Sequence, residues 1–148
     1  MRRALQRAGW WVADYAFAAR RQVAGLCSRT GPETYADPRP ARRPRVLVLP
    51  GVYESWRFLE PVVRGLHGHG HPVHVVARFG LNRGGVADMT ALAAAAVADQ
   101  DLTDVVVVAH SKGGLIGKAL MGRADVGRRI LGMVAVNTPF SGSPYARW

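Results

Sequence analysis

From residue 45 onward, short apolar runs alternate with stretches of helical spacing. Val46-Leu47-Val48-Leu49 ends at Pro50-Gly51, as a buried parallel strand does. Phe58, Val62, Val63 and Leu66 then recur at helical spacing until Gly68 and Gly70 stop the pattern. Val73 to Ala77 reads as a second strand, residues 86 to 99 as an alanine-rich helix, and Val105 to Ala109 as a third strand. A helix over Gly114 to Met121 closes at Gly122, and Met133 to Val136 forms a fourth strand. Strands and helices alternating at this spacing build βαβ units, so the predicted class is α/β with a four-stranded parallel sheet.

The first 44 residues follow another pattern. Leu5, Ala8, Val12, Tyr15, Ala16, Ala19, Val23 and Leu26 mark one face of a helix over 2–26 that carries Trp10, Trp11 and several arginines. A secretory signal is the alternative, with Arg2 and Arg3 before an apolar stretch and Ala16-Phe17-Ala18 as a cleavage site. Arg7 and Asp14 interrupt that stretch, which favours a helix lying on the domain or at a membrane surface. Ser28, Gly31, Pro32, Pro38, Pro40 and Pro44 break all periodicity over 28–45, predicting a linker that runs over the surface. The expected organisation is therefore a basic amphipathic helix with a Pro-rich linker (1–44), then the α/β unit (45–148).

Composition narrows the classes. With 148 residues, 49% hydrophobic and 20% charged, the chain can bury one core but not two. The single cysteine, Cys27, excludes an internal disulfide and a cysteine-rich zinc site. The net charge of +10 invites a polyanion reading. However, ten of the twenty basic residues and only three of the ten acidic ones lie in residues 1–45, so the excess sits on an arm and not on a nucleic-acid reading element. A membrane-peripheral role for residues 2–26, in a cytoplasmic protein that binds no nucleic acid, is the expectation. The oligomeric state is not legible.

The chemistry concentrates in Val105-Val106-Val107-Val108-Ala109-His110-Ser111-Lys112-Gly113-Gly114. A buried strand runs into Ser111 and a helix opens directly after it. Ala109-x-Ser111-x-Gly113 is a G-x-S-x-G nucleophile elbow with alanine in first place. Small residues suit so sharp a turn, and the helix N-terminus favours negative charge developing at the serine. His110 and Lys112 flank the serine. Neighbours leaving a strand point to opposite sides, so both read as framing residues and not as a base.

Three segments together resemble the α/β-hydrolase family, in particular small bacterial lipases and esterases. They are Val46-Leu47-Val48-Leu49-Pro50-Gly51-Val52, Ala109-His110-Ser111-Lys112-Gly113-Gly114 and Asn137-Thr138-Pro139-Phe140-Ser141-Gly142-Ser143. The last is similar to the T-P-x-x-G-S turn of many lipases. The resemblance implies a partial α/β-hydrolase fold over 45–148. It also implies a serine-dependent carboxylic-ester hydrolase acting through an acyl-enzyme, without metal or organic cofactor, on a small-molecule or lipid ester. Ser111 would be the nucleophile, and the backbone N–H groups of Lys112 and Val52 would form the oxyanion hole.

The same family pattern exposes what is missing. The acid and histidine arrive late, in the order Ser, Asp or Glu, His. After Ser111 the chain holds only Asp125 and no histidine, and Asp125 precedes the fourth strand, at the wrong sheet edge. Asp88 lies on the correct edge, in what reads as a loop, but nothing marks it as a triad acid. The expectation is a hydrolase cut short after the T-P-x-x-G-S turn and inactive alone. The other reading is a non-catalytic chain working through its basic helix at a membrane or polyanion. His67, His69, His71 and His74 invite a metal reading, but they gather at the N-terminal edge of the second strand, away from where ligands bind in such sheets.

Overall fold

The computed structural model describes residues 30–36 and 43–142, together with Trp10, Ala16, Phe17, Ala19, Arg20, Val23 and Gly25. Its centre is a four-stranded, wholly parallel sheet of β1 (Arg45–Leu49), β2 (Val73–Val75), β3 (Val105–His110) and β4 (Ile130–Val136), in the order β2-β1-β3-β4. Helices α1 (Glu60–Gly68), α2 (Val86–Asp99) and α3 (Lys112–Met121) connect consecutive strands. The α/β class read from the alternating pattern is the class observed.

Both sheet faces are buried, which explains why the strand runs are apolar throughout. On one face Val46, Val48, Val73 and Val75 pack with Val63 of α1, Trp56 and Tyr35. On the other, Leu47, Leu49, Val105 and Val107 meet Ala93 and Val97 of α2 and Ile116 and Leu120 of α3. The small residues of α2 let it lie close to α3, while Gly117 brings α3 down onto Met133 and Val107.

This arrangement positions the site. The chain leaves β1 toward the face that carries α1 and leaves β3 toward the opposite face that carries α3. β1 and β3 are adjacent, so their C-terminal ends flank the crevice where connections diverge, the place in an open α/β sheet where ligands gather.

Several elements differ from the sequence reading. α3 starts at Lys112 and not at Gly114, because its two glycines serve close packing and not helix termination. β2 ends at Val75, and Ala77–Phe79 forms one 3-10 turn. β4 begins at Ile130, three residues early, with a bulge beside Val105/Val106 that Gly132 disguises in the apolar pattern. The surface linker expected over 28–45 fails at Tyr35. This residue is buried, accepts Val73 N–H through its carbonyl at 2.9 Å and donates its hydroxyl to Glu60 at 3.1 Å. The predicted helix over 2–26 falls mostly outside the described residues, although Trp10, Ala16, Phe17, Ala19, Arg20, Val23 and Gly25 are helical.

β4 is an edge strand with exposed Leu131 and Val134. Ile116, fully buried between α3 and the sheet, supplies the contrast. Ile116→Ala is expected to lower the unfolding free energy in urea by about 2–5 kcal/mol.

Candidate active site

Each loop at the C-terminal edge of the sheet contains a non-glycine residue at positive φ: Tyr53 (59°) after β1, Asn82 (49°) after β2, Ser111 (51°) after β3 and Asn137 (51°) after β4. Asparagine tolerates this region; tyrosine and serine do not, and such strain costs on the order of 1–3 kcal/mol each and concentrates at functional sites. Ser111 combines its φ of 51° with a ψ of −123°. This is the sharp turn anticipated from A-x-S-x-G, and it sets the serine between the end of β3 and the first residue of α3.

The three segments that carry the family resemblance meet at this turn. A Cβ on Gly113 would overlap the Leu49 carbonyl oxygen and stand 2.7 Å from Leu49 C and 2.8 Å from Pro50 O, so the start of α3 rests directly on the end of β1. A Cβ on Gly114 would overlap the hydroxyl of Thr138 and stand 2.6 Å from its Cγ2. The second glycine therefore receives the T-P turn. On the third side, a Cβ on Gly51 would lie 3.1 Å from Ser111 Cβ. Ser111 N–H donates to Val136 O at 2.9 Å, tying the elbow to β4.

Ser111, Lys112 and Val52, the residues expected to act, are thus on adjoining turns. Lys112 is the first residue of α3, where backbone N–H groups have no intrahelical acceptor. Val52 follows Gly51 and is 44% exposed. The Lys112 side chain turns away from the serine. Its ammonium donates to the carbonyls of Asn82, at 2.8 Å, and Gly84, and burial pushes it below the ordinary lysine range. Asn82 is itself fully buried and donates Nδ2–H to Pro50 O at 2.7 Å. The loop after β2 is therefore latched to both the elbow and the turn after β1.

The environment of His110 depends on a residue the sequence reading missed. Glu54 Oε2 lies 2.9 Å from His110 Nδ1 and accepts Gly51 N–H at 2.7 Å, while Phe58 stacks on the imidazole at 6.2 Å between centroids. The Glu54 hydrogen bond holds the imidazole above its ordinary 6.5, with burial opposing and the carboxylate charge assisting. Glu54 lies outside every motif and is 56 residues from its partner. Only its place three residues after Gly51 was visible.

The remaining titratable residues sit elsewhere. His69 Nδ1 lies 2.7 Å from Gly65 O, His71 Nδ1 2.9 Å from Pro44 O, and His74 Nδ1 3.0 Å from Gln100 Oε1, while His67 packs edge-on against Tyr35. Among the described residues no three His, Cys, Asp or Glu side chains converge as a metal site would require. Asp125 pairs with Arg123 on the surface before β4. Asp88 lies in the first turn of α2 and not in a loop.

Comparison with known proteins adds the fold class. A solved extracellular α/β-hydrolase from a Paenibacillus species is similar over 65% of this chain, with a TM-score of 0.54 and 19% identity. It is described as sharing structural and functional homology with tobacco salicylic acid binding protein 2. The match spans 41% of that hydrolase's length. No protein-family model matches the sequence, and no curated protein is similar to it. The likeness is one of fold: the parallel sheet and its helices resemble part of that α/β-hydrolase.

Two predictions follow from the packing and the ion pair. Gly113→Ala is expected to destabilise the chain by at least about 1–3 kcal/mol, the usual cost of overpacking, because its Cβ meets backbone that cannot rotate aside; urea melts measure this. Because the folded imidazole of His110 titrates above its unfolded value, its pairing with Glu54 contributes fully below pH 6.5 and is lost as pH rises through the folded value. Urea midpoints across that window are expected to fall with rising pH for the wild type, and to fall less for His110→Gln.

Proposed function

We propose that the chain carries the nucleophile of a serine-dependent carboxylic-ester hydrolase of the lipase or esterase type. The observation that supports this most directly is Ser111, held at positive φ on a helix N-terminus at the point where the β1 and β3 connections diverge. A structural serine cap does not need that strain.

In this reading Ser111 Oγ attacks the acyl carbonyl, its proton passes to a base, and the alcohol leaves with a proton to give an acyl-serine. Water then adds to the acyl carbon and releases the carboxylic acid. The backbone N–H groups of Lys112 and Val52 stabilise the oxyanion, and losing one such donor typically costs ~2.7–4 kcal/mol of barrier lowering. The base and its acid are not assigned within the chain. His110 directs Nδ1 to Glu54 beneath Phe58, and the other histidines occupy the region around the start of β2 and the end of α1. The reaction requires no cofactor.

The test combines fluorophosphonate labelling with hydrolysis of a short-chain nitrophenyl ester by residues 1–148. Labelling is expected to be slow and to disappear in Ser111→Ala, with turnover below the typical enzyme range of about 1–10³ per second. Undiminished labelling of Ser111→Ala would falsify the assignment. Ser111-dependent turnover within that range would instead assign a base inside this chain, with the His110–Glu54 pair the first to test.

A second role is supported by the N-terminal helix. Trp10 is 75% and Phe17 62% exposed, both are helical, and Arg20 is exposed nearby in sequence. Gly25, by contrast, is buried, with its Cβ position 3.1 Å from Arg57 Cβ. Exposed aromatic side chains in a segment of the sequence rich in arginine suit an anionic lipid surface, entered peripherally. No described helix is long and apolar enough to cross a membrane. Co-sedimentation with phosphatidylglycerol vesicles is expected, released by high salt and weakened by Trp10→Ala with Phe17→Ala. Recovery only with detergent would overturn peripheral binding.

A further inference from the structure

Glu54 touches both halves of the site. One oxygen, Oε2, accepts Gly51 N–H at 2.7 Å and meets His110 Nδ1 at 2.9 Å. Gly51 opens the turn that carries Val52, and His110 immediately precedes Ser111. The carboxylate therefore spans the crevice between the ends of β1 and β3. A Cβ on Gly51 would stand 2.9 Å from this oxygen and 3.1 Å from Ser111 Cβ, so carboxylate, glycine and nucleophile pack with no side chain between them.

The turn needs such a tie. Tyr53, inside it, is held at a φ of 59°, and the hydrogen bond closing it, Glu54 N–H to Gly51 O, is long at 3.3 Å. A strained turn persists only when its surroundings over-determine it. The Glu54 side chain is 14% exposed, and the hydrogen bonds it accepts are charge-assisted, the stronger kind. Phe58, from the 3-10 turn Trp56–Leu59, stacks on His110 and keeps the ring facing the carboxylate. Lys112 bonds the Asn82 and Gly84 carbonyls, and Arg83 lies over the Tyr53 ring at 5.5 Å.

We propose that Glu54 is a positioning residue, which clamps the Gly51–Val52 turn to the His110–Ser111 elbow and so holds the backbone donors of that turn toward the nucleophile. This rests on the ester-hydrolase reading for what the donors do, but the clamp is a physical link that can be measured without turnover. Oxyanion donors work only when held within about 0.5 Å of the productive geometry, and a turn fixed from one end alone would not meet that tolerance.

The experiment is NMR titration of residues 1–148 and of Glu54→Gln, following the Gly51 amide and the His110 ring. In the wild type the Gly51 amide proton is expected downfield, with a pH inflection that coincides with the His110 midpoint. Glutamine can still accept from Gly51 but cannot pair with an imidazolium. In Glu54→Gln the inflection at Gly51 is therefore expected to vanish, while the His110 midpoint falls toward 6.5 and the thermal unfolding midpoint changes little. A residue that merely fills space would leave both titrations unchanged by the glutamine. Independent titration of Gly51 and His110 in the wild type, or an inflection that survives in Glu54→Gln, overturns the clamp. If the glutamine variant does not fold, the wild-type coupling decides. Failure of Ser111 to label counts against the nucleophile assignment, and the Gly51–His110 coupling still decides the clamp.

Discussion

The approach of α3 to the end of β1 at Gly113 is the constraint from which the rest of the site follows. With no Cβ there, the first turn of the helix rests on the carbonyls of Leu49 and Pro50. A helix that close leaves only a single-residue turn between β3 and α3, and Ser111 takes the positive φ that this turn demands. The strain at the serine and the bareness of the glycine are one requirement seen at two positions. Gly114 repeats the argument toward β4, where the T-P turn fills the space a side chain would occupy.

Around this contact polar groups latch the loops to one another. Asn82 bonds Pro50, Lys112 bonds the Asn82 and Gly84 carbonyls, and Glu54 bonds Gly51 and the His110 ring. All but the Glu54–Gly51 bond cross from one connection to another, so three separate βα connections are tied into one rim. The apolar core fixes the strands beneath and reaches the rim at Trp56 and Phe79, while directional bonds hold backbone groups to a small tolerance.

Much of this was legible in the amino-acid pattern. The valine run of β3, the small residues of A-x-S-x-G and the adjoining Gly113-Gly114 are local features, and local sterics permit few backbones that satisfy them. The alternation of apolar runs with helical spacing likewise determined the α/β class, because a strand buried on both faces must be apolar throughout and a helix packed on a sheet must not be. These inferences concern neighbours in the chain, and no distant contact was needed to make them.

The tertiary structure decided what depends on residues far apart. The strand order β2-β1-β3-β4 brings Gly51 beside Ser111, and no local pattern encodes an order of strands. Tyr35 reads as linker because prolines and glycines surround it; its burial is decided by the space beside Val73 and Trp56. Glu54 is an ordinary surface residue by sequence and becomes the link between two loops only because folding closes a 56-residue separation to 2.9 Å. Periodicity records which side chains must leave water; which polar groups then meet depends on the geometry of the whole sheet, and that exists only once the strands have been ordered.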